Sequence, residues 1–192
     1  PVFPTPTIGM MGIIKDKKHI TPLGFQQKGD LIFLLGESVN DIASSEYLVS
    51  HHGVRLSPAP YYDLEKGRVL HHTIRELIEQ GAITASHDCS NGGLWVTMVE
   101  SAMVNNLGFD VETDIEIRRD AYLFGEAQGR VVVSVSPDQE EDFIEAMSQS
   151  ATAFTLLGHV TKGKMVIDGE HFCFVNEAAE VFNTALEKRL TA

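Results

Sequence analysis

The residues with the most chemical potential lie together in Ser86-His87-Asp88-Cys89-Ser90-Asn91-Gly92-Gly93-Leu94, a stretch that reads as a strand passing through a loop into a helix start. Glycines let the backbone approach a ligand closely, a helix N-terminus offers N–H donors, and an aspartate can hold a metal that bridges to phosphate. Ser90, Asn91, Gly92 and Gly93 are therefore candidate phosphate or nucleotide contacts, and Asp88 is the candidate metal ligand. A plainer role is open to the same residues, in which Ser90 or Asn91 caps the helix and Asp88 orders the turn.

A second stretch, Leu123-Phe124-Gly125-Glu126-Ala127-Gln128-Gly129-Arg130, reads as a loop running into a strand. If it is extended, Glu126, Gln128 and Arg130 fall on one side and present an acceptor, an amide and a cation in a row. The alternative is a surface segment in which Arg130 pairs with Glu126. The histidines at 51–52, 71–72 and 87 lack the spacing of a zinc site, and Cys89 needs an oriented base before it could act as a nucleophile.

Several elements are expected to position these residues. Thr7 to Ile14 reads as a strand, with prolines at its entry, and Leu31 to Leu35 as a buried strand between Asp30 and Gly36. Leu70, Ile74, Leu77 and Ile78 recur at helical spacing across 64–80, with Gly81 placed for a C-terminal cap. A strand over 82–86, a loop over 87–92 and a deeply buried helix over 93–105 follow. Val131 to Val135 is a β-branched strand, and the polar helix after Pro137 turns Phe143, Ile144 and Met147 inward. Phe154, Leu156 and Val160 have the even spacing of a one-sided strand, 165–175 reads as a hairpin turning at Asp168-Gly169, and a final helix carries Ala178, Val181, Phe182, Ala185 and Leu186 on one stripe. The order predicts an α+β fold, a mixed β-sheet covered by helices.

The 192-residue chain is long enough for one core, and its 43% hydrophobic and 22% charged residues are ordinary for a globular domain. A formal charge of −12 argues against a nucleic-acid surface, though not against a small phosphorylated ligand. No apolar run is long enough to span a bilayer, and two cysteines make no disulfide framework, so a cytoplasmic protein is expected. The chain opens on Pro1 without an initiator Met, which suggests a piece of a longer polypeptide.

Several stretches taken in order carry a likeness: Pro4-Thr5-Pro6-Thr7-Ile8-Gly9-Met10-Met11-Gly12, Gly29 to Gly36, Ser45-Glu46-Tyr47, His87 to Leu94, and Leu123-Phe124-Gly125-Glu126 with Gly129-Arg130. The set resembles the final segment of the formylglycinamide ribonucleotide amidotransferase (phosphoribosylformylglycinamidine synthase) family. The resemblance implies the carboxy-terminal portion of an internally duplicated synthetase, with 1–28 ending a preceding ATP-binding domain and 29–192 forming an aminoimidazole ribonucleotide synthetase C-terminal-like domain. It also implies an ATP-dependent ligase of purine biosynthesis that makes formylglycinamidine ribonucleotide from formylglycinamide ribonucleotide, ATP and glutamine-derived ammonia.

By the same resemblance, Asp88 matches a metal-binding aspartate of the first half, and Glu126-Ala127-Gln128 matches a substrate-contacting Glu-Ser-Gln stretch there. ATP or ADP and Mg2+ are the implied cofactors. The implied partners are the synthetase's N-terminal domains and a glutaminase component, with a homodimer possible for the isolated fragment. The family's catalytic histidine has no counterpart here, so the fragment alone is expected to be inactive, with no catalytic residue of its own. Cys89 and Asn91 depart from the usual Val-Ser-Asp wording of the loop, and Asn91 removes one charge. Other expectations kept open are a relative with the same second domain, such as aminoimidazole ribonucleotide or selenophosphate synthetase, and a non-catalytic packing module.

Overall fold

Two five-residue strands of apolar residues, β1 (Leu31–Leu35) and β4 (Val131–Val135), pair antiparallel at the centre of the molecule. Both are buried on their two faces, as continuous apolar runs must be if helices lie above and below them. The computed structural model describes residues 7–191. Around the central pair the sheet has seven strands in the order β2 (Ala85–Asp88), β4, β1, β5 (Phe154–Thr161), β3 (Gly108–Val111), β6 (Lys164–Ile167) and β7 (Glu170–Phe174). All neighbours are antiparallel except β3 and β6, so the sheet is mixed, and with its helices the class is α+β.

Among the described residues six α-helices accompany the sheet: α1 (Glu46–Ser50), α2 (Leu64–Gln80), α3 (Gly93–Asn105), α4 (Arg119–Phe124), α5 (Glu140–Gln149) and α6 (Val175–Thr191). Phe33, Leu35, Val133 and Val135 face one core with Leu70 and Leu77 of α2 and Phe143 and Met147 of α5. Ile32, Leu34 and Val132 face the other, with Leu94 and Met98 of α3 and Tyr122 of α4. The alternation along each strand divides one apolar sequence between two cores.

Much of the expected pattern is present. α2 ends on Gly81 in the left-handed conformation, φ 70°, where its N–H caps Ile78 and Leu77 carbonyls. The β6–β7 hairpin turns through Asp168 and Gly169, both at positive φ, as a two-residue turn of matching twist requires.

Other expectations are corrected. The described part of the expected first strand, Thr7 to Ile14, has no regular structure and pairs with no strand. Ile8, Met10, Met11 and Ile13 stand exposed, because a strand without a neighbour cannot satisfy its backbone. The chain joins the body only later, where Phe25 is buried and Pro22 accepts from the Ser86 N–H.

The strand expected over 82–86 begins at Ala85 and continues to Asp88, because its register on β4 places Asp88 opposite Val131. Ile144 is 40% exposed rather than turned inward with Phe143 and Met147. In β5 the even spacing breaks at a bulge against β1, where Ile32 faces Gly158 and Phe33 faces Leu156. The extra residue, Leu157, takes the buried position, and Leu156 is left 50% exposed. β3 and the first part of α4 fall within 106–122, where the sequence suggested no element.

Candidate functional site

The loop between β2 and α3 is built from glycine geometry and one distant carboxylate. Gly92 and Gly93 both lie at positive φ, and a Cβ on Gly93 would come within 2.6 Å of the Gly125 carbonyl and 2.8 Å of the Leu123 carbonyl. Gly92 is the N-cap, and no side chain caps the helix, so the expected capping role of Ser90 or Asn91 is overturned. Glu126, 34 residues away, holds the N-cap residue itself: its Oε1 accepts the Gly92 N–H at 2.8 Å and the Glu46 N–H at 2.7 Å. One carboxylate thus ties together the starts of α3 and α1, where a negative charge complements exposed N–H groups.

Asp88 ends β2 and is mostly exposed. The Ser90 hydroxyl donates to its Oδ2, and His87 Nδ1 stands 3.5 Å from its Oδ1. The Ser90 hydrogen bond holds the Asp88 carboxyl below the usual carboxylate range, against an opposing effect of partial burial. His87 is anchored on its other side by Glu100, at 2.9 Å from Nε2. Gly93 N–H folds back to the Ser90 carbonyl. Among the described residues, the N–H groups of Ser90 and Asn91 and the Asn91 side chain have no protein acceptor or donor.

The row Glu126, Gln128, Arg130 does not form, because the backbone bends at Gln128 and Gly129, the latter at φ 83°. Glu126 turns toward α1 and α3, Ala127 is buried, and Gln128 is exposed. Arg130 is buried and makes no ion pair with Glu126. Its guanidinium donates to the Tyr122 carbonyl at 3.2 Å, to the Gly125 carbonyl and to Ser38 Oγ at 3.3 Å. It fixes the loop from inside, so the expected loop Leu123–Arg130 is instead the end of α4 followed by a pinned bend.

Beside the head of α3, Tyr47 stacks between Phe124 at 4.9 Å and His51 at 5.1 Å, flooring a shallow groove. Sequence reading missed this groove, and it missed a cavity on the other side of the 126–129 bend, lined by Tyr61, Tyr62, Lys66, Glu37 and Gln128. The signal available was the aromatic pair Tyr61-Tyr62 directly before Asp63, the residue that caps α2. Cys89 is buried and its thiol is pushed up chiefly by that burial, which removes it as a nucleophile. Among the described residues no three His, Cys, Asp or Glu side chains gather to hold a metal, and no helix is long and apolar enough to cross a membrane.

Comparison with known proteins adds to this geometry. The model of the family described as AIR synthase related protein, C-terminal domain, matches residues 27–169. Phosphoribosylformylglycinamidine synthase subunit PurL of Carboxydothermus hydrogenoformans is 39% identical over 160 residues, 83% of this chain and 22% of that protein. The PurL of Moorella thermoacetica is 34% identical over 166 residues, 86% of this chain and 23% of that protein. The chain therefore spans less than a quarter of the length of these curated relatives.

Among solved structures, Thermotoga maritima PurL complexed with FGAR superposes with a TM-score of 0.72 at 17% identity, covering 85% of this chain and 30% of that one. The same protein complexed with ATP gives 0.65 at 15% identity, covering 83% of this chain and 27% of that one. At those identities the likeness is one of fold. The matched family model, spanning six of the seven strands and the Asp88–Gly93 loop together, establishes that the chain belongs to the AIR synthase related protein, C-terminal domain family.

Proposed function

We propose that the chain is the carboxy-terminal portion of an ATP-dependent ligase of purine biosynthesis. The full protein would convert formylglycinamide ribonucleotide, ATP and glutamine-derived ammonia to formylglycinamidine ribonucleotide. The observation that carries the reading is the identity of 39% to a phosphoribosylformylglycinamidine synthase subunit across most of the chain. Residues 1–28 would close a preceding ATP-binding domain, and 29–192 would form the domain described here. The partners in this reading are the synthetase's other domains and a glutaminase component. Two free cysteines accord with a reducing cytoplasmic setting.

The chain's contribution is a wall of a nucleotide cleft rather than the reacting groups. Ser90 and Asn91 would receive phosphate oxygens through their free N–H groups, while Gly92 and Gly93 keep the loop open for close approach. Glu126 already satisfies Gly92, so the phosphate contact shifts one or two residues toward Ser90. Two carboxylates, Asp88 and Glu126, stand near that position, and a nucleotide polyphosphate needs a cation to approach them. The donor set fits Mg2+, which commonly binds through one protein carboxylate and substrate phosphates, and Asp88 would be that carboxylate. When bound, the ion neutralises phosphate charge. Ala127 and Gln128 would face ligand from the opposite side of the same bend.

Purified alone, the chain is expected to show no ATP- and glutamine-dependent amidine formation, and steady turnover by this chain would overturn the fragment reading. Calorimetry with ADP and Mg2+ is expected to give binding that Asp88→Ala abolishes. A second reading, a packing module, rests on the outer half of α6, where Val181, Phe182, Leu186 and Leu190 are exposed. Its sign is a homodimer of the chain in sedimentation, reversed by Leu186→Glu, with no ADP bound.

A further inference from the structure

We propose that Asn91 and Gly92 form a self-modification site, at which the Asn91 side-chain amide is lost as ammonia with Glu126 as the proton acceptor. The inference stands apart from the nucleotide reading of the same loop, because it needs no ligand. Its reactants are two adjacent residues, one carboxylate and water.

The amide carbon of an asparagine can be attacked by the backbone nitrogen of the next residue, which closes a five-membered imide. Closure is favoured by a free side-chain amide, by the absence of a side chain on the following residue, and by an acceptor for the backbone proton. Asn91 is exposed, and its amide has no hydrogen-bond partner among the described residues. Gly92 carries no Cβ, and at φ 82° and ψ 0° it holds a conformation that favours glycine. A Cβ there would run into the Val96 side chain, so the packing of α3 keeps glycine in second place. The Gly92 N–H precedes the first turn of α3 and donates to no carbonyl among the described residues. Its acceptor is Glu126 Oε1 at 2.8 Å, within the reach that a general base needs.

No other asparagine has this setting. The sequence holds five more, followed by Asp41, Asn106, Leu107, Glu177 and Thr184, and each follower carries a side chain that crowds the attack. Asn105 is further committed, since its amide donates to the Phe25 carbonyl at 2.8 Å.

The step balances without any oxidant or reductant. The Gly92 nitrogen bonds to Asn91 Cγ, its proton passes through Glu126 to the Asn91 amide nitrogen, and the Cγ–Nδ2 bond breaks to release ammonia. Water then opens the imide at one of its two carbonyls, giving aspartate at 91 or isoaspartate. Either product places a new negative charge directly before the N-cap of α3, a helix that no side chain caps. A carboxylate is favoured beside the N–H groups of a helix start. The isoaspartate also lengthens the backbone between Ser90 and Gly93, whose carbonyl and N–H are paired at 3.0 Å.

The test is a time course on the purified chain at neutral pH and physiological temperature, read by peptide mass spectrometry. Conversion adds about 1 Da to the peptide that contains Asn91. The expected result is that the folded chain converts at Asn91 ahead of every other asparagine, and faster than the same chain unfolded in guanidinium. That comparison needs no variant. Glu126→Gln keeps an oxygen able to accept the Gly92 N–H but unable to take its proton, and should slow conversion about tenfold while the chain still melts cooperatively. A merely loosened loop would raise the rate instead. A rate in Glu126→Gln at or above that of the wild type would overturn the role of Glu126. Conversion no faster in the folded chain than in the unfolded one would overturn the site itself.

Discussion

α2 and α6 each run for 17 residues, yet α2 buries Gly67, Leu70, Thr73 and Leu77 whereas α6 buries only Val175. Both carry an apolar stripe. That of α2 lies against Phe33 and Val133 of the sheet and is closed at one end by Asp63 and at the other by Gly81. The stripe of α6 touches the body at Val175 and Ala178 and then continues past it through Phe182, Leu186 and Leu190. The periodicity of a helix says which side is apolar, and only the fold says whether anything covers it. Helical stability in proteins comes mainly from that cover, so the two helices should respond very differently to the same kinds of change.

The largest effect expected is from Leu77→Ala, which removes a buried side chain and leaves a cavity, and should cost about 2–5 kcal/mol in a denaturant titration. A loss below 1 kcal/mol there would break the contrast. Burial also sets a titration. Tyr122 lies in the core beside α3, and its phenol is pushed up to about 12, first by burial. The neutral form is favoured on folding, so this stabilisation is complete below about pH 10 and is lost as pH rises from there through about 12. Tyr122→Phe should flatten the alkaline part of the stability profile, and an unchanged slope would contradict the assignment.

Smaller effects sharpen the picture. Gly81→Ala puts a Cβ on a left-handed cap and should cost about 1 kcal/mol. Leu186→Ala, at a residue 70% exposed, should stay within about 0.5 kcal/mol for the monomeric chain. A loss as large as that of Leu77→Ala would mean that α6 is covered in solution, by a second copy for instance.

How much of this was legible in the sequence depends on the range of the interaction. β1, β4, α2, α3 and the Asp168-Gly169 turn follow from local periodicity and local turn chemistry, and they appear where the pattern puts them. Leu157 could not be read, because its inward position comes from a bulge set by pairing with β1. The Asp88–Gly93 stretch was legible as a glycine-bearing passage from strand to helix. What organises it was not: the N-cap residue Gly92 is held by Glu126, and the bend carrying Glu126 is held by Arg130 through carbonyls. No local spacing encodes a contact between positions 34 or 80 residues apart. The apolar stretch Thr7–Ile14 has strand character in its residues and no strand neighbour in the fold, the same separation of pattern from cover that divides α2 from α6.

In the proposed nucleotide cleft the Ser90–Gly93 loop contacts phosphate through the free donors at Ser90 and Asn91. Amide NMR of the chain titrated with ADP and Mg2+ tests it residue by residue. The predicted result is progressive shifts of the Ser90 and Asn91 amides, smaller ones at Gly92, and none along the outer half of α6. Saturating nucleotide that leaves Ser90 and Asn91 unshifted, whether or not other amides move, would contradict it.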